Sequence, residues 1–201
     1  MSRSPVTRVD LIRHGQPVGG RRYRGQMDDP LSELGWRQMW DAVGEGGDWD
    51  RIVTSPLRRC SEFAQALGER LAVPVDVDPR LKEVGFGQWE GRSRADVKAA
   101  DPEQYARFYL DPVGSRPPGA EPLEEFAARV AAAYDALIAH HGGEAVLVVA
   151  HAGVIRGVLA RVLDLPLAAL YRIRVANAGI TRIEVADPRT PCLVFHGGSL
   201  P

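Results

Sequence analysis

The sequence is poor in cysteine and has no long apolar run, and each shortage excludes a class of protein. Its 201 residues include two cysteines, Cys60 and Cys192, which show no CxxC spacing and are too few for a disulfide framework. No run of about 18 apolar residues occurs, so we expect no transmembrane helix. The first 13 residues have no apolar stretch long enough for a signal peptide, and the expected location is the cytoplasm.

An excess of charge of one sign is also missing. The 25 Lys and Arg residues nearly balance the 26 Asp and Glu residues, and the formal net charge at pH 7 is −1. Only Lys82 and Lys98 are lysines, so nearly all the positive charge belongs to arginine. Without a basic balance we expect neither a nucleic-acid partner nor a membrane surface, and the composition predicts no particular oligomeric state.

Short apolar or β-branched segments alternate with amphipathic segments along the chain. Strands are predicted at residues 7–13, 50–55, 145–150, 179–186 and 192–196, with 73–78 as a candidate sixth. Helices are predicted after Ser32, after an N-cap at Ser55 with Pro56 as first helical residue, from Pro122, and over 153–163.

This alternation predicts an α/β fold, a three-layer α/β/α sandwich around a mostly parallel central sheet. We expect one domain over residues 1–201. The segment 84–121 is richer in glycine, proline and charge than the rest, and we expect it to form a cap- or lid-like insertion over a site.

Polar residues stand where the predicted strands end, and ligands of open α/β sheets bind outside the carboxyl ends of the strands. Four such places carry them: Arg13-His14-Gly15, Ser55-Pro56 with Arg58 and Arg59 just after, Glu83, and His151-Ala152-Gly153. Two histidines, one or two arginines and a carboxylate are therefore expected to meet at one edge of the sheet.

This combination of side chains suits phosphoryl transfer without a metal or other cofactor. Arginine binds phosphate bidentately and keeps its charge, and helix N-termini add N–H donors. A neutral histidine is a nucleophile that forms a covalent intermediate. A carboxyl group can protonate the leaving oxygen and then activate water. A second histidine, when protonated, would stabilise the negative charge on the transferring group.

Four ordered motifs resemble those of the histidine phosphatase superfamily, the group that includes the cofactor-dependent phosphoglycerate mutases. The motifs are LIRHGQP, TSPLRRC, LKEVGFGQWEG and VAHAGVIR, and DDPLSELG and PPGAEPLEEF match as well. The resemblance implies a phosphohistidine mechanism, in which His14 attacks phosphorus, Glu83 protonates the leaving alcohol and water hydrolyses phospho-His14. It also implies three residues that hold the phosphoryl oxygens: Arg13, Arg59 and His151.

Departures from the family pattern favour hydrolysis over mutase chemistry. Ala152 stands where phytase-like members have the aspartate that serves as acid, which supports Glu83 in that role. Mutases carry an asparagine several residues after Arg-His-Gly, where this chain has PVGGRRYRG. The resemblance then implies that Gln26 or the backbone around Gly25 makes that phosphate contact, and that Ala152 lies beside the substrate.

The expected partner is a small phosphorylated metabolite. The stretch GGRRYRGQMDDPLSELG looks most like proteins called alpha-ribazole-5′-phosphate phosphatases, which act late in cobalamin assembly. Arg21, Arg22 and Arg24 in this stretch either line the rim of the substrate site or form a solvated basic loop. The alternatives are a mutase-type phosphotransferase, a protein phosphatase and, from another class, a non-catalytic protein that binds phosphorylated ligands.

Overall fold

In the computed structural model, which describes residues 6–186 and 191–198, the chain forms one sheet with helices on both faces. The strands are β1 (Thr7–Arg13), β2 (Arg51–Thr54), β3 (Val75–Val77), β4 (Ala145–Ala150), β5 (Ile180–Val185) and β6 (Pro191–Gly198). Their order across the sheet is β3-β2-β4-β1-β5-β6. The first four pair in parallel, whereas β5 and β6 are antiparallel to their neighbours. The predicted fold class and strands, the candidate sixth included, are confirmed.

The described α-helices alternate with the strands and add a separate pair. They are α1 (Glu33–Val43), α2 (Arg58–Leu71), α3 (Arg94–Ala100), α4 (Pro102–Leu110), α5 (Leu123–His140) and α6 (Ala152–Leu163). Short 3₁₀ helices span Pro79–Leu81, Gly87–Trp89 and Leu167–Arg172. Ser32 caps α1 as predicted, because its hydroxyl accepts the N–H of Gly35. Among the described helices, none combines the length and apolar character needed to cross a bilayer.

Each face of the sheet packs against its own pair of helices, because alternate side chains of a strand point to opposite faces. Residues on one face pack against α1 and α2: Ile12, Ile52, Leu147 and Val149 with Met39, Phe63 and Leu67. Residues on the other face pack against α5 and α6: Val9, Leu11, Val146 and Val148 with Phe126, Val130 and Val158. The central strand β4 is buried on both faces, as its continuous apolar run predicts.

The start of α2 differs from its prediction by two residues. The helix begins at Arg58 with Leu57 at the N-cap position, and no side chain caps it. The Ser55 hydroxyl instead lies 2.7 Å from Nε2 of His151. A serine followed by proline is a common helix start. Here the Ser55 hydroxyl bonds to His151 instead of capping the helix, and the helix begins only at Arg58.

The segment 84–121 contains two helices, α3 and α4, for which the sequence analysis made no prediction. Both have ordinary start signals, a capping box between Ser93 and Asp96 for α3 and an Asp101 N-cap followed by proline for α4. The segment packs through an aromatic cluster, which comprises Tyr23, Phe86, Trp89, Phe108, Tyr109 and Tyr171.

Candidate active site

The two histidines that follow β1 and β4 lie side by side. The register of these strands pairs Arg13 with Ala150, so His14 and His151 are the next residues on adjacent strands. Their ring centroids are 5.2 Å apart. Both are buried, with exposed fractions of 5% for His14 and 0% for His151. Residues 137 positions apart in the chain are thus neighbours because β4 pairs directly with β1.

The hydrogen bonding of His14 fixes its tautomer. Its Nδ1 atom lies 2.7 Å from the carbonyl oxygen of Gly15. A carbonyl oxygen only accepts, so Nδ1 carries the proton and Nε2 is left with its lone pair. Burial, followed by the charges of Arg13 and Arg59, holds the pKa of His14 well below 6.5. At pH 7 the ring is therefore neutral, the state that a nucleophile requires.

His151 is neutral for the same reasons. Burial, and then the positive charge of Arg59, lowers the pKa of His151 well below 6.5. The bond between its Nε2 and the Ser55 hydroxyl holds the ring in place. A bound phosphate would raise the pKa of His151, because an adjacent anion favours the charged form of a base. The expected stabilising charge on His151 thus depends on the ligand.

Two arginines bring positive charge to the same edge of the sheet. Arg59 is 1% exposed, and its Nη atoms donate to the carbonyl oxygens of Met27 (2.6 Å) and Gly25 (2.8 Å). Arg13 donates from Nη1 to the carbonyl oxygen of Val175 (2.7 Å). Burial lowers the pKa of Arg13 to about 10, so it remains charged at pH 7. Carbonyl oxygens orient both groups but leave their charges uncompensated, which favours binding of an anion.

Glu83 reaches this edge from the loop after the 3₁₀ helix Pro79–Leu81. Its carboxylate oxygens accept the backbone N–H groups of Val84 (2.9 Å) and Gly153 (3.1 Å). A Cβ on residue 153 would overlap Oε1 of Glu83, so a larger residue there would displace the carboxylate from this position. Arg129 fixes the segment, because it donates to the Glu83 carbonyl oxygen and pairs with Glu121 through both carboxylate oxygens.

Gly25 and Gln26, two of the expected substrate contacts, lie beside Arg59. The Gly25 carbonyl oxygen accepts a hydrogen bond from Arg59, and the Gln26 backbone N–H donates to Oε1 of Glu90 (3.2 Å). Gly25 has a φ of +52°, and a Cβ there would overlap Glu90. The Gln26 side chain is exposed, and Ala152 is the first residue of α6, directly after His151.

Arg22 and Arg24 both stabilise their own loop. Arg24 is 9% exposed, pairs with Asp29 (3.0 Å) and donates to the Val18 carbonyl oxygen. Arg22 donates to the Gly19 carbonyl oxygen (2.7 Å). Arg24 lies close enough to His14 for its charge to contribute to the lowered pKa of that histidine. A direct contact between either arginine and the substrate stays a prediction.

The sequence analysis did not name two residues at this edge as site residues. Ser55 was assigned to a helix cap, but it is completely buried against His151. Arg156 is the lone charge within the apolar stretch GVIRGVL, one helical turn after Gly153 and on the same face of α6. A single arginine in an apolar stretch, shortly after a strand-end histidine, is the signal that would have indicated it.

The buried neutral histidines predict that stability falls in mild acid. Histidine in an unfolded chain has a pKa near 6.5, and the folded-state values are lower, so the unfolded chain binds more protons below about pH 6.5. The stabilisation is fully present above that pH and is lost as the pH falls. We expect a decrease of up to about 1.4 kcal/mol per pH unit for each histidine, measured by urea unfolding from about pH 7.5 to about pH 5.5.

A double variant, His14→Asn with His151→Asn, provides the control for this effect. Asparagine does not titrate in this range, so the double variant should lose most of the slope between these pH values. A slope equal to that of the unmodified protein would show that other groups cause the pH dependence.

The edge therefore holds a neutral imidazole, two guanidinium groups, a second imidazole and a carboxylate. Among the residues that the structure describes, no group of three or more His, Cys, Asp or Glu side chains could hold a metal ion. The functional groups present are those of phosphate binding, nucleophilic attack and proton transfer.

Comparison with known protein families gives one match over nearly the whole chain. Residues 9–196 match the family described as the histidine phosphatase superfamily, branch 1. The bifunctional protein Rv2228c of Mycobacterium tuberculosis is 36% identical over 91% of this chain, and the chain spans 51% of the length of that relative. The adenosylcobalamin/alpha-ribazole phosphatase of Salmonella typhimurium is 31% identical, over 90% of this chain and 91% of that protein.

A solved structure agrees with these matches. The native structure of a mycobacterial glucosyl-3-phosphoglycerate phosphatase superposes with a TM-score of 0.85 at 31% sequence identity, covering 96% of this chain and all of that one. The fold, the family match and the cluster of side chains at the carboxyl ends of the strands agree with one another.

Proposed function

Because the chain belongs to the histidine phosphatase superfamily, we propose that it hydrolyses the phosphate ester of a small phosphorylated metabolite through a phosphohistidine at His14. The observation that carries the proposal is the Nε2 lone pair of a buried, neutral His14 beside two charged arginines. Charged arginines suppress the protonation of the nucleophile and attract the phosphate. The same two side chains thus serve both requirements of the first step.

In the first step, Nε2 of His14 forms a bond to phosphorus while the ester P–O bond breaks. The electron pair of that bond stays on the leaving oxygen, which takes a proton from the carboxyl group of Glu83. Three side chains hold the phosphoryl oxygens: Arg13, Arg59 and His151. In the second step, the Glu83 carboxylate takes a proton from water, the water oxygen attacks phosphorus, and the N–P bond breaks.

We also propose that residues 84–121 cap the site and restrict it to small substrates. Support comes from the contacts that hold this segment over neighbouring parts of the chain. The Tyr23 and Tyr109 hydroxyls are 2.8 Å apart, and Arg116 donates to the Tyr171 hydroxyl (3.0 Å). A segment packed this closely would hinder a phosphorylated side chain that is still part of a folded protein.

Alpha-ribazole 5′-phosphate is the first specific substrate to test. The Salmonella relative that matches along nearly its whole length is named for this activity. Two features of the sequence support hydrolysis over transfer of the phosphoryl group between positions of one sugar acid. Ala152 stands in place of an aspartate, and the segment around Glu83 is of the phosphatase type. A mutase-type reaction remains the second candidate among the enzymes.

The proposal is tested by hydrolysis of p-nitrophenyl phosphate in EDTA, together with a panel of alpha-ribazole 5′-phosphate, sugar phosphates and phosphoserine. We expect turnover in EDTA, because the proposed reaction uses only side chains of this chain. Turnover that needs an added divalent cation would contradict the mechanism. Absence of turnover on every panel member, with no phosphohistidine trapped, would favour the binding-protein alternative.

A further inference from the structure

We propose that a cavity beside α5, here called the α5 cavity, is a second ligand site, which takes a small aromatic amine and acts on the segment that carries Glu83. None of the described residues that line it is among those proposed to act on the phosphate, so the two sites are separate. Binding of the amine is independent of the proposed function, whereas its effect on Glu83 rests on that function.

The α5 cavity has the size and the apolar floor of a site for a small organic molecule. Its volume is about 460 Å³, within the usual range for such sites. The floor is formed by side chains on the sheet face that packs against α5 and α6: Leu11 (1% exposed), Val53 (8%) and Val148 (2%). Val77, another lining residue, is 57% exposed, so the apolar lining reaches the surface. An aromatic ring buried here would lose contact with water, which favours binding.

The walls of the α5 cavity come from two elements that the chain places on either side of Glu83. One wall is the C-terminal half of α5, where Ala133 and Ala136 line the cavity and leave space that larger side chains would fill. The other wall comprises β3 and the 3₁₀ helix Pro79–Leu81, which ends two residues before Glu83. The space between these elements is what a ring would occupy.

The ion pairs around the α5 cavity hold more negative than positive charge. Arg80 pairs with Asp78 (2.7 Å), and both line the cavity. Arg51 pairs with the lining residue Asp76 (2.6 Å) and also with Glu144 (3.5 Å). Three carboxylates thus share two guanidinium groups, and the field at the rim attracts a cation.

Two histidines at the end of α5 add hydrogen-bond acceptors to the lining. Nδ1 of His140 lies 2.6 Å from the Ala136 carbonyl oxygen, and Nδ1 of His141 lies 3.0 Å from a carboxylate oxygen of Glu144. Both partners only accept, so each Nδ1 carries a proton, and Nε2 of each neutral ring is left as an acceptor. An ammonium group has donors only and a positive charge, so an amine suits this rim and a carboxylate does not.

One wall of the α5 cavity is tied to the backbone of Glu83. Arg129 of α5 donates to the carbonyl oxygens of Arg80 (2.5 Å) and Glu83 (3.1 Å). Arg80 donates in turn from Nη1 to the carbonyl oxygen of Ala132 in α5 (3.2 Å). A ligand packed against both α5 and the 3₁₀ helix would hold these elements together and so restrain the position of Glu83.

The test of binding compares tryptamine with indole-3-propionate, which share the indole ring and the two-carbon chain and differ in the sign of the terminal charge. Two-dimensional ¹H–¹⁵N NMR spectra of the full chain follow each titration, with inorganic phosphate present to occupy the phosphoryl site. We expect tryptamine to shift the amide signals of Val77 and Leu137, with a Kd at least about tenfold lower than that of indole-3-propionate.

Two variants separate shape from charge. Ala136→Phe fills the α5 cavity and should weaken tryptamine binding by about tenfold or more. Asp76→Asn keeps the shape and should reduce the preference for tryptamine over indole-3-propionate by about threefold or more, because one carboxylate charge is lost. Ala139→Phe is the matched control, since residue 139 is exposed on the same helix and does not line the cavity, and its tryptamine affinity should equal that of the unmodified protein.

The effect on Glu83 is measured as the ratio of kcat/KM for an alkyl phosphate to that for p-nitrophenyl phosphate. Only the alkyl leaving group needs the proton from Glu83, so a better-held Glu83 should raise this ratio. We expect saturating tryptamine to raise it about twofold or more in the unmodified protein and in Ala139→Phe, and to leave it unchanged in Ala136→Phe.

The possible failures can be told apart. Equal affinity for the two probes, or tryptamine affinity unaffected by Ala136→Phe, would overturn the site. A dimer in sedimentation that Ala136→Phe dissociates would show that a second copy of the chain occupies the cavity instead. Binding of tryptamine with no change in the kcat/KM ratio would overturn the effect on Glu83. If the protein hydrolyses no phosphate ester at all, the proposed function fails, and the NMR titrations still decide the site.

Discussion

Replacing His14 with asparagine is expected to lower kcat for every phosphomonoester by at least about 10⁴-fold, because it removes the only atom proposed to attack phosphorus. Asparagine keeps an N–H donor at the place of Nδ1, so the bond to the Gly15 carbonyl oxygen can persist. The variant should therefore fold, with a circular dichroism spectrum like that of the unmodified protein. Turnover of p-nitrophenyl phosphate measures the effect.

Trapping of the intermediate separates this role from a structural one. After a rapid quench in alkali, mass spectrometry of the unmodified protein should find a phosphoryl group on His14, and none in His14→Asn. His196→Asn is the control, because His196 bonds to Thr181 (2.8 Å) and to the Arg174 carbonyl oxygen (2.8 Å) and to none of the side chains proposed to act on the phosphate. A folded His14→Asn variant with near-normal turnover would refute the mechanism.

Replacing Glu83 with glutamine is expected to slow alkyl phosphates by about 10²–10⁴-fold, because an amide cannot protonate the leaving alkoxide. The same change should lower kcat/KM for p-nitrophenyl phosphate much less, because its phenolate leaves without a proton and kcat/KM does not include the later hydrolysis of phospho-His14, in which Glu83 acts as base. The quantity to measure is the ratio of kcat/KM for an alkyl phosphate to that for the aryl phosphate. This ratio should fall sharply in Glu83→Gln.

Glu90→Gln is the matched control for Glu83. Glu90 belongs to the same motif, but its Oε1 atom accepts the backbone N–H groups of Phe86 (2.9 Å) and Gln26 (3.2 Å) and so supports the loop below Arg59. Any loss of activity in this variant should be the same for alkyl and aryl substrates. If Glu83→Gln also lowered both by one factor, Glu83 would not be the acid that protonates the leaving group.

The positive charges of the site explain both the neutral state of His14 and the binding of phosphate. Burial and the charges of Arg13 and Arg59 keep His14 unprotonated, and the same charges bind the phosphate. The site therefore concentrates positive charge, on Arg13 and Arg59, that no described carboxylate pairs with directly, which disfavours the folded state. Removing part of that charge should stabilise the free protein and weaken the site, a trade-off common at catalytic centres.

Much of this site was predictable because it follows from local sequence. The apolar runs that form β1 and β4 end in Arg13-His14 and in His151, and parallel strands place their carboxyl ends at one edge of the sheet. Gly15 and Gly153, close after the two histidines, indicated close approach of a ligand, and the ordered motifs indicated the family. The sequence by itself thus determined the fold class, the strands and the set of residues proposed to act on the phosphate.

The tertiary structure alone decided how those residues relate to one another. Pairing of β4 directly with β1 puts His14 beside His151, and strand pairing between segments distant in the chain is not encoded in local periodicity. Ser55, predicted as a helix cap, is instead a partner of His151, because packing and burial outweigh local propensity. Arg13 and Arg156, far apart in the sequence, both donate to carbonyl oxygens of one short segment, those of Val175 and Ile173. Protonation states, too, depend on which charges burial brings together, and so only the folded chain fixes them.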